Sequence, residues 1–235
     1  MNTRNYQFTV SDILVDVVQK DIGNMHLAVY PPTGRVRVSS PLTYSKENIR
    51  LFVVSKLTWI KKHIRAMKNQ VREPRREFIQ GESHWVEGKR YLLNIIEKDE
   101  KPCVHIRNKQ YLDLQIRPGT ERDKREEIIQ EWYRERLKRK IPELIAKWEN
   151  RLKVEISDWG IKLMKTKWGS CTVENKRIWI NLELAKKEYE LLDYVVLHEM
   201  AHLIERTHND RFKAVLDNHM PSWKGKRELL NEVVY

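Results

Sequence analysis

The chain has 235 residues, 40% of them hydrophobic and 33% charged, with a formal net charge of +12. No apolar run approaches the ~20 residues needed to cross a bilayer, and Met1-Asn2-Thr3-Arg4-Asn5-Tyr6 lacks the apolar core of a secretory signal, so a cytoplasmic protein with no membrane partner is expected. Two cysteines, Cys103 and Cys171, indicate no disulfide framework and exclude a cysteine-rich zinc site, leaving histidine and carboxylate as the metal ligands available.

Phe8, Val10, Ile13, Val15 and Val17 alternate with polar residues as strands do. Residues 25–30 and 35–39 are short runs separated by Pro31-Pro32-Thr33-Gly34, the pattern of a hairpin, with Val36 and Val38 on one face. Pro41-Leu42 closes that sheet. Ser45 opens a single long helix over residues 46–69, with Ile49, Phe52, Val53, Leu57, Trp59, Ile60, Ile64 and Met67 on the apolar face and Lys61, Lys62, Arg65 and Lys68 opposite. Residues 71–77 read as a connection around Pro74. Strands are predicted at 83–86, 90–97, 103–107 and 111–116, punctuated by Gly81, Gly88, Asn108 and Pro118-Gly119.

Residues 120–151 form a long amphipathic helix in which Pro142 predicts a kink or break. A strand pair at 161–165 and 177–181 follows, then a helix from Glu188, and two short helices, 209–219 and 222–233, separated by Pro221. No internal repeat is visible. The fold class is α+β: a β-rich region with one long helix over 1–119, then a mostly helical domain with a small sheet over 120–235.

In Tyr194-Val195-Val196-Leu197-His198-Glu199-Met200-Ala201-His202-Leu203-Ile204 the strongly solvated groups are His198, Glu199 and His202. Everything around them is apolar, and burying them without partners would cost several kcal/mol or more. A cation removes that cost. His198 and His202, at i and i+4, share one helix face, and Glu199 beside them can reach a water on the ion. This is the H-E-x-x-H arrangement of zinc metallopeptidases. Catalytic zinc takes three protein ligands, and His208, at a helix junction six residues past His202, is the best-placed third. Glu228, Glu232 and His219 are its rivals. Phe212 then anchors the next helix in the core.

Trp168-Gly169-Ser170-Cys171, Ile180-Asn181-Leu182, Val196-Leu197-His198-Glu199-Met200-Ala201-His202-Leu203 and His208-Asn209-Asp210-Arg211-Phe212 together resemble the YgjP-like metallopeptidases, within the SprT-like group of zincins. Upstream, Gly34-Arg35-Val36-Arg37-Val38-Ser39 and Lys56-Leu57-Thr58-Trp59-Ile60 extend the likeness to nearly the whole chain. The resemblance implies a zincin-like domain over 120–235, one catalytic Zn2+, His208 as the third ligand, and a site-proximal role for residues 168–171. Met200 stands where Leu is commoner, a volume-conserving change. Residues 168–171 also admit a structural reading: Trp168 in the core, Gly169 at a tight turn, Cys171 as a buried small hydrophobe. The strand after them is a candidate edge for an extended substrate.

The mechanism expected is hydrolysis of a peptide bond by a metal-activated water with Glu199 as general base. Tyr189, Tyr194 and His219 are the candidate transition-state donors. The substrates expected are intracellular proteins or peptides. The alternative is a DNA-associated protease or DNA-binding protein acting on proteins attached to DNA, with nucleic acid held on the basic surface. A non-catalytic module with a structural metal, and a hydrolase of non-peptide bonds, are two further readings; an intact Glu199 speaks against the former.

Overall fold

A computed structural model describes residues 3–30, 33–69 and 76–232, which divide into two compact units, Met1–Arg72 and Glu73–Tyr235, each with its own hydrophobic core.

The first unit is built on a four-stranded sheet of β1 (Arg4–Val10), β2 (Ile13–Lys20), β3 (His26–Tyr30) and β4 (Arg35–Pro41), in the order β1-β2-β4-β3. The two hairpins lie side by side, with β2 and β4 parallel at the centre. Strict alternation turns Val15, Val17, Val36 and Val38 to the core, where they are almost fully buried. Ser11 and Asp12 join β1 to β2 with φ of 45° and 64°. Left-handed backbone at both positions is the two-residue turn that matches strand twist, made here without the Asn-Gly that signals it. The turn of the second hairpin includes Pro31 and Pro32, which lie outside the described residues; its end, Gly34, has φ 75°, and a Cβ there would press against Ile64.

The single helix expected over 46–69 is two helices, α1 (Lys46–Ser55) and α2 (Leu57–Asn69). Ser45 caps α1 by accepting from the Asn48 N–H at 3.2 Å. At Lys56 the backbone leaves helical values (φ −103°, ψ 6°) and its N–H turns back to the Val53 carbonyl. A straight helix over 46–69 would be about 36 Å long, well beyond the roughly 17–27 Å of the strands, so the break keeps both halves over the sheet. Ile49, Val53 and Ile60 are buried beneath them. Trp59 is not on the apolar face as expected; it is 42% exposed and stacks on His63 at 3.9 Å. The Met67 side chain lies outside the described residues.

The second unit opens with β5 (Ser83–Val86), β6 (Lys89–Glu97), β7 (Cys103–Arg107) and β8 (Tyr111–Ile116), in the order β5-β6-β8-β7, with β6 and β8 parallel. Order and pairing senses repeat those of the first sheet. Val10, Val15, Val17, Val36 and Val38 of the first correspond, at one constant spacing, to Val86, Tyr91, Leu93, Leu112 and Leu114 of the second, all buried. The two-residue turns Ser11-Asp12 and Glu87-Gly88 correspond at that spacing too, all four residues with positive φ. The repeat is invisible to residue identity because only burial and turn geometry are shared.

The helix α3 (Arg122–Leu152) packs on this sheet, and Ile129, Tyr133 and Leu137 join its core. The second compact unit, Glu73–Tyr235, thus holds both this sheet and the helix that covers it. Helix α3 runs on through Pro142, which lies on the exposed face where water can satisfy the carbonyl left without an N–H. A three-stranded sheet follows, β9 (Asp158–Lys162), β10 (Gly169–Thr172) and β11 (Arg177–Asn181), in the order β10-β11-β9. The first strand of the expected pair starts earlier than read; β10 was not foreseen as a strand, and it is β10 that forms the edge, because β11, the strand expected there, is paired on both sides by β10 and β9. A short 3-10 helix at Leu182–Lys186 leads into α4 (Tyr189–Ala201), followed by α5 (Asp210–His219) and α6 (Trp223–Glu232). Among the described residues no helix is long and apolar enough to cross a membrane.

Candidate metal centre

Nearly every side chain of α4 from Leu191 onward is buried. The helix ends at Ala201, and the next turn is closed by the N–H groups of Ile204 and Glu205 donating to the Ala201 carbonyl. Asn209 then caps α5 by accepting from the Phe212 N–H at 3.0 Å. His208 stands just ahead of that cap, so the chain reversal brings it back over α4.

One ring nitrogen from each of His198, His202 and His208 lies within 4.8 Å of the other two, with Nε2 of His198 and Nε2 of His208 3.0 Å apart. Phe212, 2% exposed, is the floor beneath them: its ring centroid lies 5.0, 4.7 and 4.8 Å from those of His198, His202 and His208. The outer nitrogens are oriented too. His202 Nδ1 is 3.2 Å from the Glu205 carbonyl and so carries the proton, leaving Nε2 with its lone pair. His198 Nδ1 is 3.4 Å from the Tyr194 hydroxyl.

Burial lowers the His198 pKa to about 3, helped by the charges of His202, His208 and Arg227. His202 and His208 are lowered as well, mainly by burial. Three imidazoles that burial keeps neutral, each with a ring nitrogen turned to the others, are the donor set a divalent cation such as zinc requires. Among the described residues no other metal-binding cluster of His, Cys, Asp and Glu forms. His219 is turned to Trp148, edge-on at 6.4 Å, and Glu228 is exposed on α6. The side chain of Glu232 lies outside the described residues.

Glu199 is 6% exposed and burial raises its pKa to about 8, with Lys167 acting in the opposite direction. Among the described residues nothing hydrogen-bonds to its carboxylate. The carboxylate rests on Gly169. A Cβ at Gly169 would stand 2.6 Å from both Cγ and Oε1 of Glu199 and 2.8 Å from Cδ. Gly169 therefore lies in strand β10 against the carboxylate and serves no tight turn. Cys171, two residues on, lines the same cleft, and burial raises its thiol to about 11, with Glu199 adding to the effect. It is a protonated small hydrophobe, and Cys171→Ser is expected to keep most activity, checked by steady-state kinetics. Trp168 packs on the core and lines the cleft at once, with Lys187 Nζ 5.3 Å above its ring.

Asn181 holds this wall in place. Its amide donates to the carbonyls of Met164 (3.0 Å) and Lys167 (2.7 Å) and accepts from the N–H groups of Met164 (3.1 Å) and Glu183 (3.2 Å). Asn181→Asp removes both donations and sets a carboxylate against two carbonyls. A loss of about 3 kcal/mol is expected in urea unfolding.

The buried carboxylate makes stability pH-dependent in the metal-free protein. The folded pKa of Glu199, about 8, exceeds the ordinary 4.5, so its contribution is present at low pH and is lost as pH rises through 8. Metal-free Glu199→Gln is expected to gain stability over the metal-free wild type as pH rises from 5 to 9, read by thermal melts.

The cleft around the triad encloses about 630 Å³ between β10, α4 and α6. Of the expected transition-state donors Tyr194 lines it; among the described residues Tyr189 lies under Lys140 and His219 against Trp148, both outside the cleft's lining. Arg227 of α6 also lines it, a residue that sequence reasoning passed over because nothing in its spacing ties it to H-E-x-x-H.

Two solved structures are similar over part of the chain. The crystal structure of the metallopeptidase zymogen abylysin of Pyrococcus abyssi is 19% identical, covers 38% of this chain and 90% of its own, and has a TM-score of 0.36. That of the metallopeptidase zymogen jannalysin of Methanocaldococcus jannaschii is 22% identical, covers 40% and 91%, and has a TM-score of 0.36. Among curated proteins none matches. The family model of the YgjP-like metallopeptidase domain matches residues 25–233, and with almost the whole sequence inside that match, the chain belongs to the YgjP-like metallopeptidases.

Proposed function

We propose that the protein is a cytoplasmic zinc metallopeptidase that hydrolyses peptide bonds of intracellular proteins or peptides. His198, His202 and His208 hold the ion and Glu199 is the general base. The observation that carries this reading is the convergence of three neutral imidazoles beside one buried, unpartnered carboxylate. When bound, zinc polarises a carbonyl and lowers the pKa of water toward ~7. The chain's own residues do the rest. The Glu205 carbonyl and the Tyr194 hydroxyl orient His202 and His198. Glu199 takes a proton from water and returns it to the leaving amine. Gly169 gives the carboxylate room to lie flat against β10. As an edge strand, β10 offers backbone groups to an extended peptide.

A second reading, action on proteins attached to DNA, is supported by the +12 charge and by Lys61, Lys62 and Arg65 exposed on α2. Cleavage of an unfolded protein, followed with and without chelator, added zinc and DNA, tests both. Loss with chelator and recovery with zinc are expected. Activity untouched by exhaustive chelation would overturn the zinc reading. Indifference to DNA at low salt would remove the second.

A further inference from the structure

Six charged side chains line the cleft around the triad: Lys167, Glu174, Glu199, Arg206, Lys213 and Arg227. Two of the cations already have partners. Arg206 lies 3.1 Å from Glu174, and Lys213 lies 2.8 Å from Asp210. Among the described residues no carboxylate comes within ion-pairing distance of Lys167 or Arg227. Lys167 immediately precedes the Trp168-Gly169 wall and its charge acts on Glu199; Arg227 stands on α6 and its charge acts on Tyr194, His198 and His208. The two unpaired cations thus belong to the two sides of the cleft, one at the carboxylate and one at the imidazoles.

We propose that Arg227, with Lys167 on the opposite wall, makes this a site for acidic peptides by holding a substrate carboxylate beside the bond to be cut. Arg227 is then the specificity-determining residue of the peptidase reaction proposed above, on which this inference rests. A guanidinium offers a planar pair of donors that fits one carboxylate bidentately, which a solvated lysine cannot do. Because Glu174 and Asp210 pair with Arg206 and Lys213, the charge left over in the cleft is two separated cations, Lys167 and Arg227, a spacing that suits a peptide with discrete carboxylates better than a continuous polyanion.

Binding can be read without turnover. The full chain is stripped of metal, and anisotropy is measured for a labelled Glu-containing peptide and for the same peptide with Gln in place of Glu. Wild-type protein is expected to bind the Glu peptide about tenfold more tightly at low salt. Arg227→Gln is expected to bring the two peptides to near parity, Arg227→Lys to keep part of the preference, and Lys167→Gln to lose a smaller part. Thermal melts confirm that each variant is folded, since Arg227 is exposed and its removal leaves the core intact. Equal binding of both peptides by wild type, no binding of either, or a folded Arg227→Gln with its preference intact would overturn the proposal. So would a DNA oligonucleotide that displaces the Glu peptide better than unlabelled Glu peptide does. The outcomes separate this inference from the reading beneath it. A Glu preference with no peptide cleavage by the zinc-loaded enzyme would leave carboxylate recognition standing and remove the peptidase. Cleavage without any preference would do the reverse.

Discussion

Glu199→Gln is expected to lower peptide hydrolysis by about 10³-fold while zinc content stays at the wild-type level, the loss typical of removing a positioned general base. The substitution is nearly isosteric. The amide would occupy the same space against Gly169, and the three histidines and the Phe212 floor are untouched by it. What disappears is the group able to take a proton from water. Elemental analysis and single-turnover cleavage on the same preparation check the two halves together. Wild-type cleavage by a fully loaded variant would show that another group is the base.

Gly169→Ala is expected to cost about 10²-fold in kcat through a carboxylate displaced by roughly an ångström, with metal content retained. One methyl is enough because the atoms it meets, Cγ, Oε1 and Cδ of Glu199, belong to a side chain buried at the end of α4 with little room to swing away. The cost in stability should be smaller, about 1–3 kcal/mol as for other overpacked positions. Kinetics and a denaturant melt separate the two effects. Wild-type kcat in Gly169→Ala would mean that the position of Glu199 against β10 does not matter.

The convergence of His198, His202 and His208 was legible because each part of the pattern has a cause in the chain. Polar groups in an apolar helix need a partner, i and i+4 share a face, and His208 sits where α4 ends and the Asn209 cap begins. Strands β5–β8 were legible from alternation and glycine punctuation. What escaped depended on tertiary context. The break at Lys56 answers to the length of the sheet below it. The edge strand β10 is only four residues long, and its glycine reads as a turn until Glu199 is seen against it. Asn181 was noticed as part of a motif, but its four hydrogen bonds run to positions 164, 167 and 183, distances along the chain that no periodicity marks. The recurrence of the two four-stranded sheets lies in burial and turn geometry, with different residues in the equivalent places.

Zinc stoichiometry of wild-type protein and of His208→Ala, measured by elemental analysis after loading and dialysis, bears most directly on the central claim. One ion per chain is expected in the wild type, and a loss of most of it in His208→Ala, with the fold preserved because His208 is exposed. Equal zinc in both proteins, or none in the wild type after loading, would contradict the assignment of His198, His202 and His208 as the metal site.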